Sequence, residues 1–161
     1  MEAGRRRKIM VALEDNDMGI YALDWALNYL IPSASDSMEP DHFVILYVQP
    51  PALSNTPLVN EEEMFQGQAL SSMEKSRRCI EYVNDTCKKH NITYEMEVKV
   101  GEANKVICEA AKKQCVDLLV VGNHEYGGLK RIFSSSKTTG HYCVQHAKCP
   151  VVVVKRRQRT L

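Results

Sequence analysis

Two short stretches in the last third of the chain, Leu118–Val121 and Val151–Val154, contain no polar residue. A strand with one wet face alternates apolar and polar side chains. An unbroken apolar run of this length suits a strand covered on both faces, as in a parallel sheet flanked by helices. Between the two runs lie Gly122, the glycine- and hydroxyl-rich stretch NHEYGGLKRIFSSSKTTG, and a helical pattern HYCVQHAK. In parallel sheets ligands settle beyond the carboxyl ends of the strands, where a loop enters a helix amino terminus. The loop after Gly122 is long for a strand-to-helix connection, and long loops inside compact domains are usually functional. A binding site is expected there.

The rest of the chain alternates in the same way. Lys8–Glu14 reads as a strand, and Asp15, Asn16 and Asp17 after it suit a turn or helix cap. From Met18 to Ile31, Ile20, Leu23, Leu27, Leu30 and Ile31 recur at helical spacing, and Pro32 is expected to end that helix. Pro32–Asp41 is a polar connection and His42–Val48 a second apolar strand. Gln49–Val59, with Pro50, Pro51 and Pro57, is a surface loop.

Asn60–His90 reads as a long helix whose stripe is Met64, Ala69, Met73, Ile80, Val83 and Cys87. Glu61, Glu62 and Glu63 suit its positive amino end. Ile92–Val100 alternates, the pattern of an edge strand with one polar face. Glu102–Cys115 is a third helix, Asp117–Gly122 a fourth strand, Thr138–Lys148 a fourth helix and Pro150–Lys155 a fifth strand. Right-handed crossovers turn this alternation into a three-layer α/β sandwich around a five-stranded, doubly wound parallel sheet. The expected strand order is 3-2-1-4-5, a Rossmann-like arrangement. It places the loops after Glu14 and Gly122 across one crevice at the switch point. No linker divides the 161 residues, so one domain is expected.

Composition limits the partners. The formal net charge is +1, giving no overall field toward nucleic acid or membrane. Arg5–Lys8 and the tail with Lys155, Arg156, Arg157 and Arg159 are read as solvated ends. No segment has the apolar length of a membrane span, and a cytoplasmic or nuclear location is expected. Cys79, Cys87, Cys108, Cys115, Cys143 and Cys149 show no CxxC spacing and read as thiols, with Cys143 and Cys149 as packing residues. His124, His141 and His146 lack metal-ligand spacing. Trp25 and the methionines read as core.

Four stretches together resemble the universal stress protein family across nearly the whole chain. They are KIMVALE with the acidic turn and ALDWAL; GEANKVICEAAKKQCVDLLVVG; GGLKR; and YCVQHAKCPVVVVK. The resemblance implies the fold just described. It also implies ATP or AMP in the crevice, with Mg accompanying ATP, bound through a G-x2-G-x9-G-S/T loop and a strand-end aspartate. Gly122 matches the first glycine, and His124, Gly127, Lys130 and Arg131 match common occupants. Lys137, Thr138, Thr139 and Gly140 stand at the phosphate end, and Ala12, Leu13, Glu14 and Val48 would line the base and ribose, with Asn123 beside them.

The chain departs from the pattern at four places. Beyond Arg131 the loop is about two residues longer than the pattern, and Lys137, Thr138, Thr139 and Gly140 occupy the place of the usual Gly-Ser-Val-Ser. Glu125 stands where the second glycine belongs, and Glu14 replaces the aspartate. A carboxylate about 4 Å from a phosphate charge costs on the order of 4 kcal/mol at an effective dielectric near 20. Lys130, Arg131 and Lys137 would offset it, and the Thr138 and Thr139 hydroxyls could donate to an anion. A retained site and a degenerate one therefore both stand.

Three functions follow. The first is a stress-responsive, non-catalytic binding module that senses adenine nucleotide. The second is a nucleotide-independent homodimer paired through Val151, Val152, Val153 and Val154, an apolar edge that needs a cover. The third is a slow ATPase using Glu14 or Asp15 at a metal. Ser134–Ser136 is a further candidate, for phosphorylation.

Overall fold

The computed structural model describes residues 5–31, 39–51, 61–123 and 138–156, apart from the side chains of 61–69. His124, Glu125, Gly127, Lys130, Arg131, Ser134–Ser136 and Lys137 lie outside the described residues, as do Pro32, Pro57, Arg157 and Arg159. The elements are β1 (Lys8–Glu14), α1 (Asp17–Tyr29), β2 (His42–Gln49), α2 (Glu61–Lys89), β3 (Thr93–Val100), α3 (Ala103–Lys113), β4 (Leu118–Gly122), α4 (Thr139–His146) and β5 (Val151–Val154). The five strands form one sheet in the order β3-β2-β1-β4-β5, every neighbouring pair parallel. The expected topology is the observed one.

Strand periodicity sorts the core into two layers. Ile9, Val11, Leu13, Phe43, Ile45 and Tyr47 face α1 and α2, meeting Ala22, Leu23, Ala26, Leu27, Val83 and Cys87. Met10, Ala12, Val44, Leu46 and Val48 face the other way, onto Ile107, Ala110 and Ala111 of α3 and Cys143 of α4. The central strands are therefore apolar at nearly every position, whereas β3 alternates because it is an edge. Charged Glu95, Glu97 and Lys99 punctuate that edge. Glu95 lies 3.1 Å from His42 Nε2, and Glu97 accepts from Gln114 Nε2 at 2.8 Å. Charges of this kind discourage a further strand from adding. The opposite edge is β5, four valines of which Val151, Val152 and Val153 are half-buried.

Helix ends explain the small boundary shifts. Asn16 caps α1, its Oδ1 accepting from Met18 N at 3.0 Å and Gly19 N at 3.2 Å. At its other end α1 stops at Tyr29, and the Leu30 N–H bonds back to Ala26 O, so Leu30 and Ile31 pack beyond the helix. Helix α3 stops at Lys113 in a paired closure. Cys115 N donates to Lys112 O at 3.1 Å and Val116 N to Ala111 O at 3.2 Å, with Cys115 at φ 50. This is the helix-ending motif that usually places glycine at the left-handed residue. Helix α2 closes in the same way, through Asn91 at φ 50.

Two expectations need correction. Met73 does not join the α2 core stripe; it is 67% exposed, and Ser76 turns inward instead. The middle of α2 faces polar groups of β2, with Ser76 in contact with Gln49 and donating to Ser72 O, so an apolar side chain has no advantage there. The basic residues before β1 are not simply solvated. Arg7 makes a forked pair with the buried Asp41, Nε to Oδ1 at 2.8 Å and Nη2 to Oδ2 at 2.5 Å. This pairing raises the Arg7 pKa above its ordinary value. Arg5 meets Asp117 at 2.7 Å, while Asp117 also accepts from Lys8 N at 2.8 Å. These pairs clamp the starts of β2 and β4 to that of β1. In the tail, Arg156 lies over the Tyr21 ring, 5.8 Å from its centroid.

The amino-terminal turn of α1 presses on the sheet. A Cβ on Gly19 would sit 3.0 Å from Leu13 Cα, and one on Gly122 would sit 2.5 Å from Met18 O. Gly122 is thus required by the backbone of α1, with or without a ligand. Gly122→Ala is expected to lower stability by about 2 kcal/mol or more in urea unfolding without nucleotide. By contrast, Cys115→Gly is expected to raise stability by roughly 0.5–1 kcal/mol, since it relieves the left-handed φ. An unchanged or lowered urea midpoint for that variant would contradict this reading of the α3 terminus.

Candidate functional site

The strand order reverses between β1 and β4, which lie side by side with Ala12 opposite Val121. At the carboxyl end of this pair, the chain leaves β1 through Glu14 and β4 through Gly122 and Asn123. Asn16 N bonds back to Glu14 O at 2.7 Å, turning the chain straight into α1. Asn123 N bonds to Val154 O at 2.8 Å, holding the chain after β4 against β5. Helix α4 starts at the same edge. Thr138 is its cap, accepting from His141 N at 3.3 Å, while Tyr142 N bonds to Thr138 O at 3.0 Å. Gly140 is buried, and a Cβ there would come 2.9 Å from Val153 Cγ1.

One contact closes the gap between these segments: Thr139 Oγ1 donates to Glu14 Oε1 at 2.9 Å. The structure thus brings Glu14, Gly122, Asn123, Thr138, Thr139 and Gly140 to one edge of the sheet. The two hydroxyls make different contacts. Thr138 Oγ1 serves as a helix cap and Thr139 Oγ1 is given to a protein carboxylate. Ala12, Leu13 and Val48 lie beneath this edge with side chains buried in the core. The other expected contacts, His124, Gly127, Lys130, Arg131 and Lys137, are outside the described residues.

On the α1–α2 side of the same edge lies a cavity of about 440 Å³, within the size range of small-molecule sites. Glu14 is the only expected site residue lining it among the described residues. Asp15, Asn16 and Asp17 supply its floor, Tyr47 its β2 wall, and Lys75, Arg78, Cys79 and Tyr82 its α2 wall. Lys75 Nζ pairs with Asp15 Oδ2 at 3.3 Å, and Tyr82 donates to Asp24 at 2.7 Å. Burial pushes the Cys79 thiol up to about 11, with Asp15 adding to the shift, so it stays protonated and a poor nucleophile near neutral pH. Sequence periodicity gave no sign of this cavity. It forms because α2 crosses above the turn after β1, and its polar wall residues read as an ordinary exposed helix face.

The thiols packed between α3 and α4 are shifted toward the protonated form. Cys108 and Cys143 approach to 3.8 Å between α3 and α4, and burial raises both thiols above their ordinary value, as it does Cys149. Among the described residues no group of three or more His, Cys, Asp or Glu side chains is arranged to hold a metal. His141 and His146 lie exposed on α4. Among the same residues no helix is long and apolar enough to cross a membrane.

Comparison with known proteins agrees with this architecture. The universal stress protein A-like protein of Arabidopsis thaliana is 26% identical, over 92% of this chain and 90% of its own. Among solved structures, UspA from Lactobacillus plantarum superposes with a TM-score of 0.69 at 19% identity, covering 94% of this chain and 99% of that one. An Arabidopsis thaliana universal stress protein family protein with AMP bound gives a TM-score of 0.62 at 26% identity, covering 94% and 92%. The model of the universal stress protein family matches residues 5–155. With the family pattern spanning every described helix and strand, this chain belongs to the universal stress protein family.

Proposed function

We propose that this protein is a non-catalytic, stress-responsive regulatory module, working in the cytoplasm, that binds an adenine nucleotide at the carboxyl edge of its sheet. The observation that carries this reading is the convergence, around Glu14 and Thr139, of the end of β1 and the amino end of α4. A helix amino terminus offers unpaired N–H groups and partial positive charge to a phosphate, and a carboxylate at a strand end can accept from ribose hydroxyls. The AMP-bound Arabidopsis relative, similar over nearly its full length, supports the choice of nucleotide. Asp15, the neighbouring carboxylate that a metal-assisted hydrolysis could use, is engaged by Lys75, which favours binding over turnover.

Titration calorimetry with AMP at millimolar concentrations is expected to give saturable heat. A matching rise in thermal midpoint should follow, since ligand at a hundredfold excess over Kd adds about 2.7 kcal/mol to stability. Absence of both heat and thermal shift with AMP and with ATP would reject the nucleotide reading.

A second property rests on the sheet edge. Among the described residues β5 pairs with β4 alone, so its other main-chain edge is unpaired there, and Val151, Val152 and Val153 are half-buried. We propose that two copies pair through Val151–Val154, which would cover that edge. Sedimentation at tens of micromolar should show a dimer, and Val152→Lys should shift it to monomer. A wild-type monomer at that concentration would contradict the pairing.

A further inference from the structure

We infer that Cys108 and Cys143 are a redox-sensitive pair: a hydroperoxide oxidises them to a disulfide that staples α3 to α4. The inference is independent of the nucleotide reading. Its basis is placement. Cys108 lies in α3 and Cys143 in α4, 35 residues apart in sequence, with their sulfurs 3.8 Å from each other. A disulfide holds its two sulfurs about 2 Å apart. Rotation about the two Cα–Cβ bonds moves each sulfur on that scale, so the helices need little displacement to be joined. The other thiols are placed differently. Cys79 and Cys87 belong to the layer across the sheet, and Cys115 is exposed beyond the end of α3. Cys149 is the competing partner, close enough to Cys108 for the two to interact electrostatically.

The two thiols are not equivalent. Cys143 is fully buried and Cys108 half-buried. Burial raises the pKa of both, but contact with Cys143 lowers that of Cys108, while Cys108 raises that of Cys143 further. Cys108 therefore meets the oxidant first. Its sulfur attacks a peroxide oxygen, the O–O bond breaks, and a sulfenic acid and one water form. Cys143 Sγ then attacks the Cys108 sulfur. The S–S bond forms as the S–O bond breaks, and the departing hydroxide takes the Cys143 proton as a second water. Two electrons and two protons pass from the thiols to hydrogen peroxide, and nothing else is consumed. Burial makes the first step slow, so the pair responds to sustained oxidant. The product ties down a short helix. α4 has eight residues, and Cys143 lies one turn after Thr139, the residue that reaches Glu14. A covalent link to α3 opposes local opening of that helix.

The test oxidises the Cys115→Ser chain, which lacks the exposed thiol that could cross-link two copies, with hydrogen peroxide and separately with diamide. Remaining thiols are alkylated and peptides are mapped without reduction. A Cys108–Cys143 linked peptide, lighter by two hydrogens, is expected with both oxidants. The thermal midpoint should rise by about 5 °C or more and return on treatment with dithiothreitol. Adding Cys108→Ser or Cys143→Ser should abolish both the link and the rise, whereas adding Cys149→Ser should leave both. Circular dichroism before oxidation confirms that each variant is folded, and Cys108→Ser decides the matter if the buried Cys143→Ser does not fold. Linkage of Cys108 to Cys149, overoxidation without linkage, or thiols untouched by either oxidant would overturn the inference. So would a linked chain whose thermal midpoint does not rise.

Discussion

The molecule is organised by the close approach of one helix to the seam of its sheet. Only two residues separate the end of β1 from the start of helix α1, and its first turn must sit on the ends of β1 and β4 together. Only glycine at positions 19 and 122 leaves space for that, because the opposing atoms are main-chain atoms of Leu13 and Met18 that cannot rotate away. The seam is also where strand order reverses, so the packing that fixes α1 shapes the floor of the crevice. A glycine that resemblance assigns to a phosphate loop is here held in place by a helix.

Charge is distributed unevenly along the strands. At their amino ends Arg5 and Arg7 reach Asp117 and Asp41, so the clamp joins residues that precede three adjacent strands. Breaking such a pair costs most where the remaining partner is buried, as Asp41 is. At the carboxyl ends there is no comparable clamp among the described residues. Helix amino termini, a carboxylate and hydroxyls meet there. One end of the sheet is tied by ion pairs that join neighbouring strands; at the other, the Lys75–Asp15 pair joins α2 to the turn after β1.

Much of this was legible in the sequence. The unbroken apolar runs announced a doubly covered sheet, and the alternation of β3 announced its edge. Local signals placed the bounds of β1 and narrowed the cap of α1 to Asp15, Asn16 or Asp17, of which the structure uses Asn16. What escaped depends on contacts between segments remote in sequence. Ser76 faces inward and Met73 outward because of what β2 presents to α2, which helical spacing alone does not contain. Arg5 and Arg7 looked like a solvated end because their partners lie 112 and 34 residues away, respectively. The Glu14–Thr139 bond was invisible for the same reason. The sequence showed a longer acid in place of aspartate; only the fold shows what the added methylene reaches.

The two borders of the sheet are unlike. β3 carries glutamates and a lysine along its outer side, already engaged by His42 and Gln114, while β5 offers valine after valine. If two copies pair through β5 as proposed above, growth by further strand addition would have to use β3, whose charged and engaged side chains discourage it. The polar residues of β3, which contribute little to the core, thereby guard that margin against fibre formation.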